Sequence, residues 1–217
     1  MAATLKRACI FGIILWVFVM HAIGQTDTKG AMVKYSREFK FRDGIYATLG
    51  EWKRNSPEIV QFEALKEQGN RGIDNFVLKY TSPDSNGLMQ TFYVKKCFAF
   101  VKNGVLYFSQ GDYGYYRMFI VGALSHYMKY KRSTNPQYSS FNDPGSMLWS
   151  TEEYTEFLMD FKSGESFEFT FLNFREFLKQ HDPELSVELE KAKNKRDMIH
   201  HYLLLYNEKH PIFFPAD

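Results

Sequence analysis

The chain has 217 residues, with 27 Lys and Arg against 25 Asp and Glu, and 18% of its residues are aromatic. Both signs of charge are interspersed, which argues against nucleic acid or an anionic membrane surface as the main partner. Two cysteines exclude a disulfide scaffold, and the absence of repeats or low-complexity tracts excludes a solenoid.

Residues 1–24 have the order of a secretory signal: Lys6 and Arg7, an apolar run from Phe11 to Met20, then the small residues around Ala22-Ile23-Gly24. A membrane anchor is the alternative. The apolar run is about half of the roughly 20 residues that a spanning helix needs, and His21 follows it. Cleavage after Gly24 removes two bases and no acid, so the mature chain is neutral with His uncharged. It also removes Cys9, which leaves Cys97 alone with no intrachain disulfide. No Asn-x-Ser/Thr sequon occurs, which suits bacterial export. The expected organisation is a signal peptide at 1–24 and a single α+β domain at 25–217, β-rich over 33–170 and helical over 171–210.

The stretch Phe41 to Pro57, FRDGIYATLGEWKRNSP, runs from an apolar entry at Gly44-Ile45-Tyr46 into Thr48 and Glu51 at capping-box spacing. Asn55 and Pro57 close this short helix, since Pro cannot continue one. EIVQFEALKEQ then fits either a helix or a strand. From Asn75 the apolar period becomes two: FVLKY, LMQTFYV, KCFAFVK and VLYFS follow in order. Cys97, Ala99 and Val101 fall on one face of that pattern, and Phe98 and Phe100 on the other. Asn103-Gly104 predicts a type I′ hairpin, in which both central residues take positive φ. YYRMFIVGALSHYMKY reads as one long strand with a bend at Gly122. Lys131 to Met147 reads as the longest loop, and EYTEFLMDF and ESFEFT form a hairpin around Lys162-Ser163-Gly164. The fold class is therefore α+β: an antiparallel meander of about six strands, with curling towards a barrel as its closed form, a short N-terminal helix and a C-terminal helical segment.

In that segment, Phe171, Phe174, Phe177 and Leu178 share a helix face, and Asp182-Pro183 reads as an N-cap with Pro at the first helical position. An apolar stripe then runs through Leu185, Leu189, Ala192, Ile199, Leu203 and Tyr206, interrupted at Arg196 inside EKAKNKRD. One long helix and two shorter ones are both open. Three pieces, GIY-x-T-x-x-E-W-x-x-N-x-P at 44–57, FAFVKNGVLYF at 98–108 and DFKSGE…HDPEL…YNEKHP from Asp160 to Pro211, together resemble uncharacterised exported proteins of Bacteroidota. The hairpin has Phe98-Ala99 where Trp-Gly is more usual in that family. The resemblance implies an exported α+β domain and carries no assigned activity, so it supplies no catalytic residue.

No pattern of catalytic chemistry stands out. The nuclease that shares the letters Gly44-Ile45-Tyr46 needs a second Tyr-Ile/Val-Gly element and a basic face, and neither is present. No Gly-x-Ser-x-Gly elbow, phosphate loop or His-x-x-x-His spacing occurs, and Cys97 lies in a predicted strand as an inert thiol. His200 and His201 point about 100° apart on a helix, so the pair cannot share an ion; with His181 and His210 they read as polar surface, and no cofactor or metal set is expected. The carboxylate pairs Glu152/Glu153 and Glu165/Glu168 read as a solvated face. Tyr113, Tyr115 and Tyr116, at a predicted hairpin tip, are the candidate contact for a sugar or a partner's groove, the alternative being that they anchor a strand end in the core. The expectation is a non-catalytic envelope protein that binds a protein or a glycan, with a hydrolase using a carboxylate/His site as the second reading.

Overall fold

A computed structural model describes residues 30–68, 74–109, 114–134 and 150–216. The expected signal peptide, Tyr113 and the expected loop from 135 to 147 lie outside the described residues; Lys131 to Thr134, expected to open that loop, are strand instead and pair with Ser150 to Glu153. The order of elements is β1 (Met32–Lys34), β2 (Gly44–Tyr46), α1 (Leu49–Lys53), β3 (Glu63–Gln68), β4 (Asp74–Pro83), β5 (Met89–Val94), β6 (Ala99–Lys102), β7 (Val105–Ser109), β8 (Tyr115–Ile120), β9 (Leu124–Thr134), β10 (Ser150–Asp160), β11 (Ser166–Glu168), α2 (Phe171–His181), α3 (Pro183–Lys191), α4 (Ile199–Lys209) and β12 (Phe213–Pro215). Residues 33–214 form one unit. In the other, made of residues 1–32 and 215–217, the Ala216 N–H donates to the Ala31 carbonyl at 2.6 Å.

The architecture is α+β with antiparallel pairing. Strands β6 to β11 follow each other as a six-stranded meander, and β2 adds to β6, giving the order β11-β10-β9-β8-β7-β6-β2. The sheet is open, not a barrel. Strand β11 has three residues and runs almost directly into the Thr170 cap of α2, so no strand length remains to reach β2. FVLKY and LMQTFYV, expected in the same meander, instead form β4 and β5 of a separate sheet ordered β3-β4-β5. The ambiguous EALKEQ is its strand β3.

Local chemistry sets the corners. Thr48 Oγ1 accepts from the Glu51 N–H at 3.2 Å, while Glu51 Oε2 accepts from the Ala47 N–H at 2.7 Å, one residue before the expected partner. Asn55 turns the chain with φ 49° and is buried. Its Oδ1 accepts from the Arg42 N–H at 2.9 Å and from the Tyr46 hydroxyl at 3.1 Å. Asn103 and Gly104 both take positive φ, 53° and 72°, and their N–H groups donate to the two oxygens of Asp43. Cys97 and Phe98 precede β6, so the alternation expected from Cys97 begins only at Ala99: the Phe98 N–H donates to Tyr46 O at 2.9 Å and bends the chain before the strand starts.

Val121 to Ala123 make a turn between β8 and β9, where one continuous strand was expected. Gly122 is required there, because a Cβ would collide with the Asn207 side chain. The irregularity of this strand pair falls instead at Phe119, the extra residue between Met118↔Tyr127 and Ile120↔His126. The stretch from Pro183 to Lys209 is two helices, since the chain turns between Lys191 and Ile199, where Arg196 is exposed and Asn194 takes φ 55°.

The two faces of the seven-stranded sheet bury different clusters. On one, Trp52 is fully enclosed by Phe41, Phe98, Phe161 and Phe214, with ring centroids 5.2–6.0 Å away. The other carries Ile45, Phe100 and Tyr115 beneath the three-stranded sheet. Leu124 and Leu158 pack with the buried faces of α2, α3 and α4.

Candidate functional site

On β9 and β10 the side-chain period of two places Leu124 and His126 on the same face as Glu156 and Leu158. His126 pairs with Leu158 in register, so Glu156 is its diagonal neighbour across the ladder. Leu124 and Leu158 are fully buried beneath the helices; His126 and Glu156 continue the same two rows as polar side chains. Helix α4 starts above them and supplies His200 from its first turn.

The three side chains converge on one atom. His126 Nε2 lies 3.1 Å and His200 Nε2 2.8 Å from Glu156 Oε2. A carboxylate oxygen only accepts, so the His126–Glu156 hydrogen bond requires the ring proton on Nε2 of His126. The side chain of His126 is 7% exposed, that of Glu156 32% and that of His200 49%, which makes the cluster anchored at its floor and open at its rim. Burial pulls His126 below the usual imidazole range, against the opposite pull of the Glu156 carboxylate. The Phe169 ring stands 5.7 Å from His126 and 4.9 Å from His200, near edge-on to both, and the exposed Phe119 of the β8 irregularity lies 6.1 Å from His126. A hollow of about 820 Å³ is lined by Thr170, Phe171, Leu172 and Asn194 to Asp197, none of them a member of the cluster.

The other end of α4 carries a second junction. Asp182 caps α3 by accepting from the Leu185 N–H at 3.2 Å, and it also binds Lys209 Nζ at 2.8 Å and His210 Nε2 at 3.0 Å. Burial would raise its carboxyl, but the hydrogen bonds from Lys209, His210 and the Leu185 N–H prevail and hold it below the usual carboxylate range. Lys209 offers no lone pair while protonated, and the carboxylate is already engaged on both oxygens. This junction is structural.

The residues expected to make contacts from a hairpin tip are elsewhere. Tyr115 and Tyr116 are buried on opposite faces of the sheet, and Tyr113 lies outside the described residues. The Tyr115 ring packs 5.1 Å from Phe100, and its hydroxyl accepts from Cys97 Sγ at 3.5 Å. Burial pushes the Cys97 thiol up to about 11 despite that bond, so the thiolate is scarce at neutral pH, which fits an inert thiol. Tyr116 lies 5.7 Å from Tyr127, with Lys129 Nζ 4.9 Å over its ring. Glu165 and Glu168 are exposed, as a solvated face requires. His200 and His201 do point apart: His200 reaches Glu156, while His201 packs edge-on to Tyr202. The sequence reading missed His126 and Glu156, although polar residues in register with the apolar rows of two strands were a visible anomaly.

Strand β5 is the other exposed feature. Its sequence, MQTFYV, carries no charge, and Met89 and Tyr93 are 66% and 65% exposed. The opposite edge of that sheet, β3, reads EALKEQ, with Glu63 paired to Lys79 at 3.1 Å. No family model, curated protein or solved structure matches the chain.

Proposed function

We propose that this is a non-catalytic exported protein of the cell envelope, of the Bacteroidota type, that binds a partner protein by taking an extended segment of it along β5. The observation that supports the reading is the contrast between the two edges of the three-stranded sheet. Charged side chains on β3 discourage strand pairing, as edge strands ordinarily do. On β5 such protection is missing, and both faces of the strand are open from Met89 to Tyr93. The inner face of the sheet is fastened to the core through Leu78, Phe76 and Tyr80, so the edge is held ready without a partner. Backbone pairing would provide affinity, and Phe92 and Tyr93, on alternate faces, would read the incoming side chains.

A photo-crosslinking residue at Thr91 in the native cells tests this, with Lys66 on β3 as the control position. The expected result is a discrete adduct with another envelope protein from Thr91 only, and protection of the β5 amides from hydrogen exchange in the purified complex. Thr91→Lys, which copies the charge on β3, should weaken the complex at least tenfold. Equal adducts from both positions, or adducts with this chain alone, would sink the reading.

A hydrolase is the second reading, favoured by the convergence of His126, Glu156 and His200. Turnover of chromogenic esters, phosphates or glycosides that disappears in Glu156→Gln would establish it. Activity unchanged by that substitution would remove it.

A further inference from the structure

We propose that His126, Glu156 and His200 form a mononuclear site for a divalent transition-metal ion, with zinc as its preferred occupant. The inference is independent of the edge-strand reading, because the two regions share no residue.

Three donors from three separate elements meet here, and their ligand atoms all lie within 4.8 Å of one another. Zinc bonds of about 2.0–2.2 Å place tetrahedral ligand atoms roughly 3.3 Å apart. The two nitrogen–oxygen separations, 3.1 and 2.8 Å, are already near that spacing. The nitrogen–nitrogen separation is within 4.8 Å, and His200, the half-exposed member, can swing to bring it to that spacing. An imidazole with its proton on Nδ1 presents the Nε2 lone pair that a metal ion takes.

The donor set excludes the hard ions. Two imidazoles and one carboxylate suit borderline divalent ions, whereas calcium and magnesium call for oxygen donors throughout. The comparison with Asp182 excludes a trivial origin: that carboxylate is neutralised by a lysine, while the described partners of Glu156 are imidazoles, which can themselves ligate. Lys129, the nearby cation on β9, lies over Tyr116 and Phe157 on the opposite face of the sheet. Phe169 stands edge-on to the buried His126 ring and restricts its orientation, as packing does at a preorganised site. With three protein ligands and an open rim, a fourth position is left for water or an incoming ligand.

The test is a zinc titration of the purified full chain in competition with a chromophoric chelator. One zinc per chain is expected, with affinity falling at least tenfold in His200→Ala and in Glu156→Gln, and unchanged in His201→Ala. Both test positions are partly exposed, so circular dichroism should show these variants folded even if His126→Ala does not fold. Cobalt(II) should give a visible d–d band in the wild type that His200→Ala loses. Absence of stoichiometric zinc binding would overturn the proposal, as would equal affinity in the wild type and both variants.

Discussion

Helix α4 is gripped at both ends by a carboxylate, and the two grips differ in what they leave free. At its C-terminal end Asp182 is 4% exposed and spends its oxygens on a helix cap, Lys209 and His210. At its N-terminal end Glu156 is 32% exposed, and its side-chain partners among the described residues are two imidazoles. Glu156 near the first turn of α4 and Lys209 in its last suit that helix's dipole, while Asp182 suits the dipole of α3, which it caps. The difference lies in donor chemistry. A lysine consumes a carboxylate as an ion pair, while a histidine pair leaves lone pairs that an ion can take.

The comparison can be broken in the middle first. Asn207 pins α4 to the start of β9 by accepting from the Leu124 N–H and donating to the Leu124 carbonyl, both at 2.8 Å. Asn207→Ala leaves both backbone groups short of a partner beside a fully buried leucine. Urea denaturation should show a loss of about 3 kcal/mol, the largest effect in this set, because orphaned buried groups cost about 1–3 kcal/mol each.

Next comes the closed grip. Asp182→Ala removes a helix cap worth about 1 kcal/mol and a charge-assisted bond of similar size, for a total near 2 kcal/mol. Its pH dependence follows from the lowered carboxyl. A depressed pKa in the folded state contributes stability that is fully present above the unfolded value near 4 and lost as pH falls through the folded value. The gap between wild type and Asp182→Ala in urea midpoint should therefore narrow on acidification below about pH 4. A gap that stays constant would show that the charge of Asp182 does no stabilising work.

The open grip should be the weakest. Glu156→Gln keeps the shape and an acceptor oxygen at a rim position, so its stability cost should stay below about 0.5 kcal/mol, as exposed pairs usually give. A loss comparable to that of Asp182→Ala would mean that the two junctions are structural alike, and the distinction drawn between them would fail.

Legibility in the sequence followed range. The Thr48–Glu51 box, the Asn103-Gly104 hairpin and the Asp182 cap were readable because each is decided within four residues, by bonds a side chain makes to its own neighbourhood. The six-stranded meander was readable because consecutive strands pair. Assignment of FVLKY and LMQTFYV to a second sheet was not, since their alternation is the same whichever sheet they join. The histidine pair on α4 was weighed against the wrong partner. His200 does not need His201; it needs a carboxylate from β10 and a histidine 30 residues before that carboxylate. Period-two patterning could have marked His126 and Glu156 as polar intruders on an apolar row, but which helix covers that row is a tertiary fact. The tyrosines left two readings open for a related reason: an aromatic cluster near a turn looks the same in sequence whether its rings point out or, as with Tyr115 and Tyr116, into the two cores.

X-ray absorption at the zinc edge, on the full chain loaded with one equivalent of the metal, tests the central claim most directly. The account predicts a first shell of nitrogen and oxygen at about 2.0–2.1 Å with the outer-shell scattering of two imidazoles, reduced to one in His200→Ala. A first shell containing sulfur, or a wild-type spectrum with fewer than two imidazoles, would contradict it.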